Sequence, residues 1–324
     1  MPEVYEITDA DAGRRLIAAC LDHWSLTPEP ALRRLIEEGA IRLNGQQTEA
    51  RQTLRKGDRI EADGIAEATE AREWRGLDAD VLFVDDEIMV LNKPVDCTVV
   101  RERWELGCPF MAGVLRWLRK NRGAPPHPGF RPRPVHRLDR DTTGVVVVAM
   151  SPGAEKSLCA QFRERRMAKE YVALVHGRMA AGGGVVEADI EEHPSDNTRM
   201  RVAPRRGKPS VTAFAVEEAW GRWSLVRVKP KTGRRHQIRV HLAHIGHPIV
   251  GDSLYGGGDG LRLSEFKPGY KRKEERPETP LIARCALHAE ALSFTHPNGQ
   301  PMRVAAPLPA DFDRALKALR KWAR

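Results

Sequence analysis

The chain has 324 residues, 41% of them hydrophobic and 30% charged, which suits a globular protein of one large and one smaller domain. Its formal net charge of +9, with 53 Lys+Arg, suits a polyanionic partner. No run approaches the ~20 apolar residues of a membrane span, and Met1-Pro2-Glu3-Val4-Tyr5-Glu6 lacks the basic and apolar parts of a secretory signal. The five cysteines, at 20, 97, 108, 159 and 285, are scattered and form no C-x-x-C pair. They argue against a structural zinc site and for a reducing compartment, so the expected location is the cytoplasm.

Leu16, Ile17, Cys20, Leu21 and Trp24 recur at helical spacing over 14–24. A second helix fits 29–38, with Leu32, Leu35 and Ile36 apolar and Gly39 as its stop. Ile41-Arg42-Leu43 reads as a short strand and Asn44-Gly45 as a tight turn. Leu54-Arg55-Lys56-Gly57-Asp58-Arg59-Ile60 gives a second turn and strand. Arg33, Arg34, Arg42, Arg51 and Arg55 keep the region basic. The order of these elements, with Leu43-Asn44-Gly45 and Lys56-Gly57-Asp58-x-Ile60, resembles over about 13–62 the small RNA-binding module of ribosomal protein S-four. That module often opens its second helix with Ser-Arg, where this chain has Pro30-Ala31. The resemblance implies a small α/β RNA-binding domain over 1–62.

Residues 63–80, rich in Ala, Glu and Asp without a clear apolar face, read as a linker to a larger domain over 81–324. That domain opens with a hairpin, Val81 to Val84 and Ile88 to Leu91 around Asp85-Asp86-Glu87, followed by Asn92-Lys93-Pro94. Residues 95–134 are a long connection carrying one predicted helix over 111–120. Prolines at 125, 126, 128, 132 and 134 exclude a helix on the approach to His136-Arg137-Leu138-Asp139-Arg140-Asp141-Thr142-Thr143-Gly144. The branched run from Val145 to Val148 that follows reads as a buried strand. Asp139 therefore sits on a loop before a central strand, between Arg137 and Arg140, where a rigidly held carboxylate can act as nucleophile or base. An isolated Asp in such a place is ordinarily a turn residue.

Further on, Ala154 to Arg166 fits a helix with basic residues at its C-terminus, and Lys169 to Val175 a strand. Thr198 to Lys208, with Arg199, Arg201, Arg205, Arg206 and Lys208, reads as a basic loop. Strands are expected at 211–216 and 224–228. A short helix after Gly233 would carry Ile238, Leu242 and Ile245 as its apolar stripe and aim Arg235 and Arg239 to one side. Arg262 to Thr279 is polar and reads as mobile. Leu287 to Thr295 and Met302 to Ala305 frame an Asn298-Gly299 hairpin turn, and Asp311 reads as the cap of a last helix with Phe312, Ala315, Leu316, Leu319 and Trp322 on one face. Many hairpins with few helices give an α+β class with a largely antiparallel sheet.

His136-Arg137-Leu138-Asp139-x-x-Thr142-Thr143-Gly144 resembles the signature of the RluA-type pseudouridine synthases, with Thr143 where the family usually has Ser. Asn92-Lys93-Pro94, Lys169-x-Tyr171, Thr232-Gly233-Arg234-Arg235-His236-Gln237-Ile238-Arg239 and Gly246 to Asp252 match further elements of that family in order. The resemblance implies isomerisation of selected uridines in RNA to pseudouridine, with no cofactor and no metal. It gives Asp139 the catalytic role, makes Tyr171 the ring that stacks on the target base, and makes Arg239 the ion-pair partner of Asp139. Arg137 becomes a candidate to fill the gap left by the flipped base, and Arg235 joins the arginines and lysine of 199–208 as an RNA contact. Asp139 could attack the sugar, add to the base or remove the 2′ proton. The expected substrate is large-subunit ribosomal RNA, with transfer RNA as runner-up, and the expected state is a monomer.

Two other readings compete. Asp139-x-Asp141-x-Thr143 matches the D-x-D-x-T of haloacid-dehalogenase-type phosphatases, but there the apolar strand precedes the pair, whereas here it follows. A non-catalytic RNA-binding protein on a synthase fold would lack Asp139, Tyr171 or Arg239, and all three are present.

Overall fold

The computed structural model describes residues 2–24, 27, 29–70, 80–99, 109–123, 127, 130–271 and 277–323. Two compact units emerge: Met1–Leu91 with Cys97–Leu138 and Val146–Cys159, and Asn92–Asp96 with Asp139–Val145 and Ala160–Arg324. Among the described residues no helix is long and apolar enough to cross a membrane, and Cys20, Cys97, Cys159 and Cys285 are free thiols.

The first unit begins with strand β1 (Glu3–Glu6), helices α1 (Leu16–His23) and α2 (Glu29–Glu37), strands β2 (Ile41–Leu43), β3 (Gln46–Gln47) and β4 (Arg59–Ala62), and helix α3 (Ile65–Glu70). The strands form one sheet in the order β1-β4-β2-β3. Asn44 and Gly45 both have positive φ, 53° and 76°, which suits the two-residue turn that joins β2 to β3. The apolar faces of the helices bury Leu16, Ile17, Cys20, Leu32, Leu35 and Ile36 against Ile41 and Ile60 of the sheet. Ile65 and Ala68 join the same core. The expected linker over 63–80 is thus helical at its start, because two apolar residues three apart are enough to dock one turn; residues 71–79 lie outside the described ones.

The same unit holds β5 (Asp80–Val84), β6 (Ile88–Lys93) as far as Leu91, and helix α4 (Pro109–Arg122), the last a turn longer than the expected 111–120. Strand β7 (Arg133–Pro134) pairs with the end of β8 (Thr143–Ala149), and β8 neighbours β6. Every residue of β8 is buried, as its unbroken branched run requires. Helix α5 (Pro152–Arg163) follows.

In the second unit, β9 (Ala168–His176), β10 (Gly182–Glu187), β13 (Val211–Trp220), β14 (Trp223–Pro230) and β15 (Leu287–Thr295) build a sheet in the order β10-β13-β14-β9-β15, antiparallel throughout; β16 (Pro301–Ala305) pairs antiparallel with β15. The parallel contact, His288 and Ala289 of β15 beside Thr143 and Gly144 of β8, makes the class mixed rather than purely antiparallel. Gly144 has φ +116°, and a Cβ there would stand 2.1 Å from the Ala289 carbonyl oxygen, so only glycine allows the two strands to meet. Helices α6 (Gln237–His244) and α7 (Ala310–Trp322) cover the sheet, with Ile238, Leu242, Phe312, Leu316 and Leu319 packed on Leu174, Val226 and Val228. Burying each such side chain contributes about 2 kcal/mol.

Several expectations change. The basic loop at 198–208 is in large part strand: β12 (Asp196–Val202) pairs with β11 (Ile190–His193), and only 203–207 turn. The Arg262 to Thr279 stretch is ordered over 262–271, with a 3-10 turn at Leu263–Glu265 and Phe266 packed edge-on to Trp223; residues 272–276 lie outside the described ones. Asp311 is the second residue of α7 and not its cap. Its carboxylate is taken by Arg284, Nε–Oδ2 2.8 Å and Nη2–Oδ1 3.0 Å.

Candidate active site

Asp139 lies in a turn that closes with Thr142 N–H donating to its carbonyl at 3.1 Å. Two buried cations hold the carbonyls of that turn. Lys93, fully buried, donates to Arg140 O at 2.9 Å and Pro94 O at 2.8 Å. Arg284 reaches Asp141 O at 3.4 Å from the nitrogen that also donates to Cys285 O. On the β8 side, Thr143 Oγ1 and His288 Nδ1 are 2.9 Å apart in the core. A loop whose carbonyls are tied at successive residues presents its Asp side chain in one place.

The Asp139 side chain is 23% exposed, and its Oδ2 is 3.5 Å from Arg239 Nη1. Arg239 is 5% exposed, and its main partner is Asp252: Nε–Oδ2 and Nη2–Oδ1 are both 2.7 Å, a two-pronged clamp on a fully buried carboxylate. Burial alone would lower the Arg239 pKa; the bond to Asp252 and the charges of Asp252 and Asp139 outweigh it, so the guanidinium is held charged. Asp252 stands at the start of a turn in which Tyr255 N–H and Gly257 N–H both donate to its carbonyl. That turn also places the Tyr255 ring against Arg239, with Cζ 5.2 Å from the ring centroid.

Tyr171 is partly buried on β9. Burial first, and the charge of Asp139 second, push its hydroxyl well above the usual phenol range, so it stays protonated. Neighbouring Lys169 turns inward and donates to Thr232 O at 3.1 Å. Burial raises the pKa of Asp141, with Arg239 opposing.

His236, immediately before α6, places Nε2 4.0 Å from Asp139 Oδ1 and Nδ1 2.8 Å from the Tyr255 hydroxyl. His241 is spent structurally, between Thr212 Oγ1 at 2.9 Å and Ala188 O at 3.0 Å, and His247 meets His176 O. Among the described residues no group of three or more His, Cys, Asp or Glu could hold a metal ion.

The structure therefore brings Asp139 and Arg239 together, sets Tyr171 within electrostatic reach of Asp139, and adds Asp252, His236 and Tyr255, to which the sequence reading gave no part in the site. It separates Arg235 from Arg239. Arg239 is inside helix α6 and buried, while Arg235 precedes the helix, is exposed, and spends Nη1 and Nη2 on Asn197 O and Thr198 O, at 2.7 and 3.1 Å. Arg201 pairs with Glu191 across the β11–β12 hairpin at 2.6 Å, and Arg199 also lies over the Tyr255 ring, Cζ 5.7 Å from its centroid. Arg205, Arg206 and Lys208 are exposed and, among the described residues, have no ion-pair partner. Arg137 is exposed two residues before Asp139. The signal for Asp252 was present in the sequence, a carboxylate after Gly251 in the Gly246 to Asp252 match, as was the alternation Arg199-Met200-Arg201-Val202 that marks a strand.

Fold and site together define an α+β domain in which one partly exposed carboxylate faces a buried, clamped arginine. The chain belongs to the RNA pseudouridylate synthase family, whose model matches residues 87–244. It is 35% identical over 318 residues to ribosomal large subunit pseudouridine synthase D of Xanthomonas campestris pv. campestris, covering 97% of this chain and 92% of the relative. It is 36% identical over 330 residues to ribosomal large subunit pseudouridine synthase C of Escherichia coli (strain K12), covering 98% and 97%. Among solved structures it is similar to human RNA pseudouridylate synthase domain containing 1, with TM-score 0.53 and 27% identity over 78% of this chain and 97% of that one. The chain is thus an isomerase that acts on RNA.

Proposed function

We propose that this enzyme converts specific uridines of large-subunit ribosomal RNA to pseudouridine, acting as a monomer in the cytoplasm. The observation that carries the reading is the Asp139 carboxylate beside a charged Arg239 that Asp252 clamps from behind. An ionised, fixed carboxylate serves equally as nucleophile or as base. The glycosidic bond must break with the uracil held, the base must turn, and the ring must rejoin through carbon. Tyr171 offers a partly buried ring on which the extruded base stacks, a contact of roughly 1–3 kcal/mol that offsets unstacking from the RNA. Arg137, exposed two residues from Asp139, would enter the space the base leaves.

Residues 1–62 are proposed as an RNA-binding module like that of ribosomal protein S-four, with 63–80 as the connection and 81–324 as the catalytic part. Phosphate contacts are assigned first to Arg205, Arg206 and Lys208, which no carboxylate holds among the described residues. Arg199, Arg201 and Arg235 shape the hairpin that presents them.

The test is twofold. Tritium release from RNA labelled at carbon five of uracil is expected for wild type and lost in Asp139→Asn. Carbodiimide-directed primer extension on ribosomal and transfer RNA, from cells with and without the protein, is expected to show the missing sites in large-subunit RNA. Sites missing from transfer RNA alone would overturn the substrate assignment.

A further inference from the structure

His236 has φ 52° and ψ 18°, in the left-handed region, at the position before α6. A residue with a Cβ occupies that region at a cost of roughly 1–2 kcal/mol. Its side chain is 9% exposed, and both ring nitrogens face groups of the site. Nδ1 is 2.8 Å from the Tyr255 oxygen, and that oxygen already accepts Met200 N–H at 2.8 Å. Among the described residues the Tyr255 hydroxyl has no third hydrogen-bond partner. A partly buried phenol hydrogen needs an acceptor, and His236 Nδ1 supplies it. The imidazole hydrogen then resides on Nε2, the nitrogen that faces Asp139 Oδ1. Burial holds the His236 pKa down to about 4, with Asp139 opposing and Arg239 and Arg235 adding to the depression, so the ring is uncharged near neutral pH.

The two oxygens of Asp139 thus face two different donors, Arg239 Nη1 on Oδ2 and His236 Nε2 on Oδ1. We propose that His236 is a positioning residue: as the neutral Nε2–H tautomer fixed by Tyr255, it closes onto Asp139 Oδ1 when RNA binds and sets the plane of the carboxylate. The inference rests on the role given to Asp139 in the proposed function. Closing requires a shift of about 1 Å from the present 4.0 Å, the kind of tightening expected between free and substrate-bound sites. A neutral donor suits this task better than a second cation. It orients the oxygen without withdrawing the charge that the carboxylate needs, and the charge of Arg239 is already matched by Asp252.

Two measurements on the full chain test this. Imidazole nitrogen NMR of the free protein at pH 7 is expected to show His236 as the neutral Nε2–H tautomer, and Tyr255→Phe to give a mixture of tautomers. Single-turnover tritium release is expected to fall about tenfold or more in His236→Ala, with RNA affinity changed less than about twofold. His236→Gln, whose amide N–H reaches the same place, is expected to recover most of that loss, which a packing defect would not do. An Nδ1–H tautomer or an imidazolium at pH 7, a wild-type rate in His236→Ala, or a loss that His236→Gln does not recover in a folded protein would each overturn the proposal. Failure of the wild type to release tritium would instead overturn the assigned reaction, and the tautomer, read without RNA, tells the two failures apart.

Discussion

Arg33, Arg34, Arg42 and Arg51 in the first unit each stand beside a surface carboxylate, Glu29, Glu38, Asp63 and Glu49, with both partners about a third or more exposed to water. Arg239 in the second unit makes ion pairs of similar length with Asp252, but from a 5%-exposed side chain onto a fully buried one. Apart from Arg34–Glu38, at 3.9 Å, the distances are alike and the consequences are not. An exposed pair is worth roughly 0–1 kcal/mol, is screened by salt and exchanges readily for another anion. The buried pair is committed: breaking it strands a charge at a cost of about 3–5 kcal/mol, so it behaves as part of the scaffold. The lesson is that the buried cation beside Asp139 is committed to the scaffold, whereas cations at the surface remain exchangeable.

The sharpest test of that division is Asp139→Asn. Turnover should fall by a factor on the order of 10³ or more, because the amide is neither nucleophile nor base. Stability should hardly move, since Arg239 keeps Asp252, and thermal unfolding within about 2 °C of wild type is expected. Asp252→Ala should do the reverse first. With the clamp gone, unfolding free energy should drop by roughly 3–5 kcal/mol, and whatever remains folded should turn over slowly because Arg239 is free to wander. Denaturant titration with parallel tritium-release assays separates the two. A stable, fully active Asp252→Ala would show that the clamp aims nothing.

These outcomes bear on how much of the site the sequence disclosed. Asp139, Tyr171 and Arg239 were picked out as candidates because each sits in a contiguous, specific motif, and the structure sets Asp139 Oδ2 3.5 Å from Arg239 Nη1. Their arrangement was only partly legible. Arg239 was expected to rely on Asp139, yet its closer partner is Asp252, thirteen residues on and brought back by the turn that ends at Gly257. Motif strings identify residue types; they do not say which of two carboxylates a folded turn delivers. The edge strand β10 was missed because its first three residues are Gly182, Gly183 and Gly184, which carry no side chains to show a period of two. The β11–β12 hairpin was hidden under its arginines, although Met200 is buried at the alternate position. Helix α6 was found, but its start was misplaced by the left-handed turn at His236, which put Arg235 and Arg239 in unlike surroundings.

Acid sensitivity should also follow the buried site more than the surface. His236, His241 and His288 have pKa values lowered first by burial, that of His236 to about 4. In the unfolded chain they titrate near 6.5, so between about pH 6.5 and 4 the unfolded state binds more protons and stability must fall as pH falls. Below that window, Asp311, lowered by Arg284 against its burial, adds a further loss as pH drops from the ordinary Asp range through its depressed pKa. A decrease of a few kcal/mol in unfolding free energy from pH 7 to pH 4.5 is expected in urea titrations. His288→Gln should flatten part of the slope, and an unchanged slope in that variant would show that His288 is not buried as a neutral ring.

The smallest effects should come from the surface cations, and they divide the two units most finely. Arg205, Arg206 and Lys208 have no carboxylate partner among the described residues, so each can release a counterion when it meets a phosphate. Replacing any one of them with Gln should reduce the slope of log affinity against log salt by about 0.7–0.9, with little change in stability. Arg33, Arg34, Arg42 and Arg51 must first leave Glu29, Glu38, Asp63 and Glu49, which are set free as RNA arrives and repel its phosphates. Their net contribution per residue should therefore be under half of that, even if residues 1–62 do carry RNA. Fluorescence titrations of a structured ribosomal fragment between 50 and 200 mM salt, a range over which phosphate contacts of this kind are readily resolved, provide the comparison. Equal slopes for Arg42→Gln and Arg205→Gln would mean that exposed pairing does not restrain an arginine from capture, and the contrast drawn between the two groups would then apply only to buried ones.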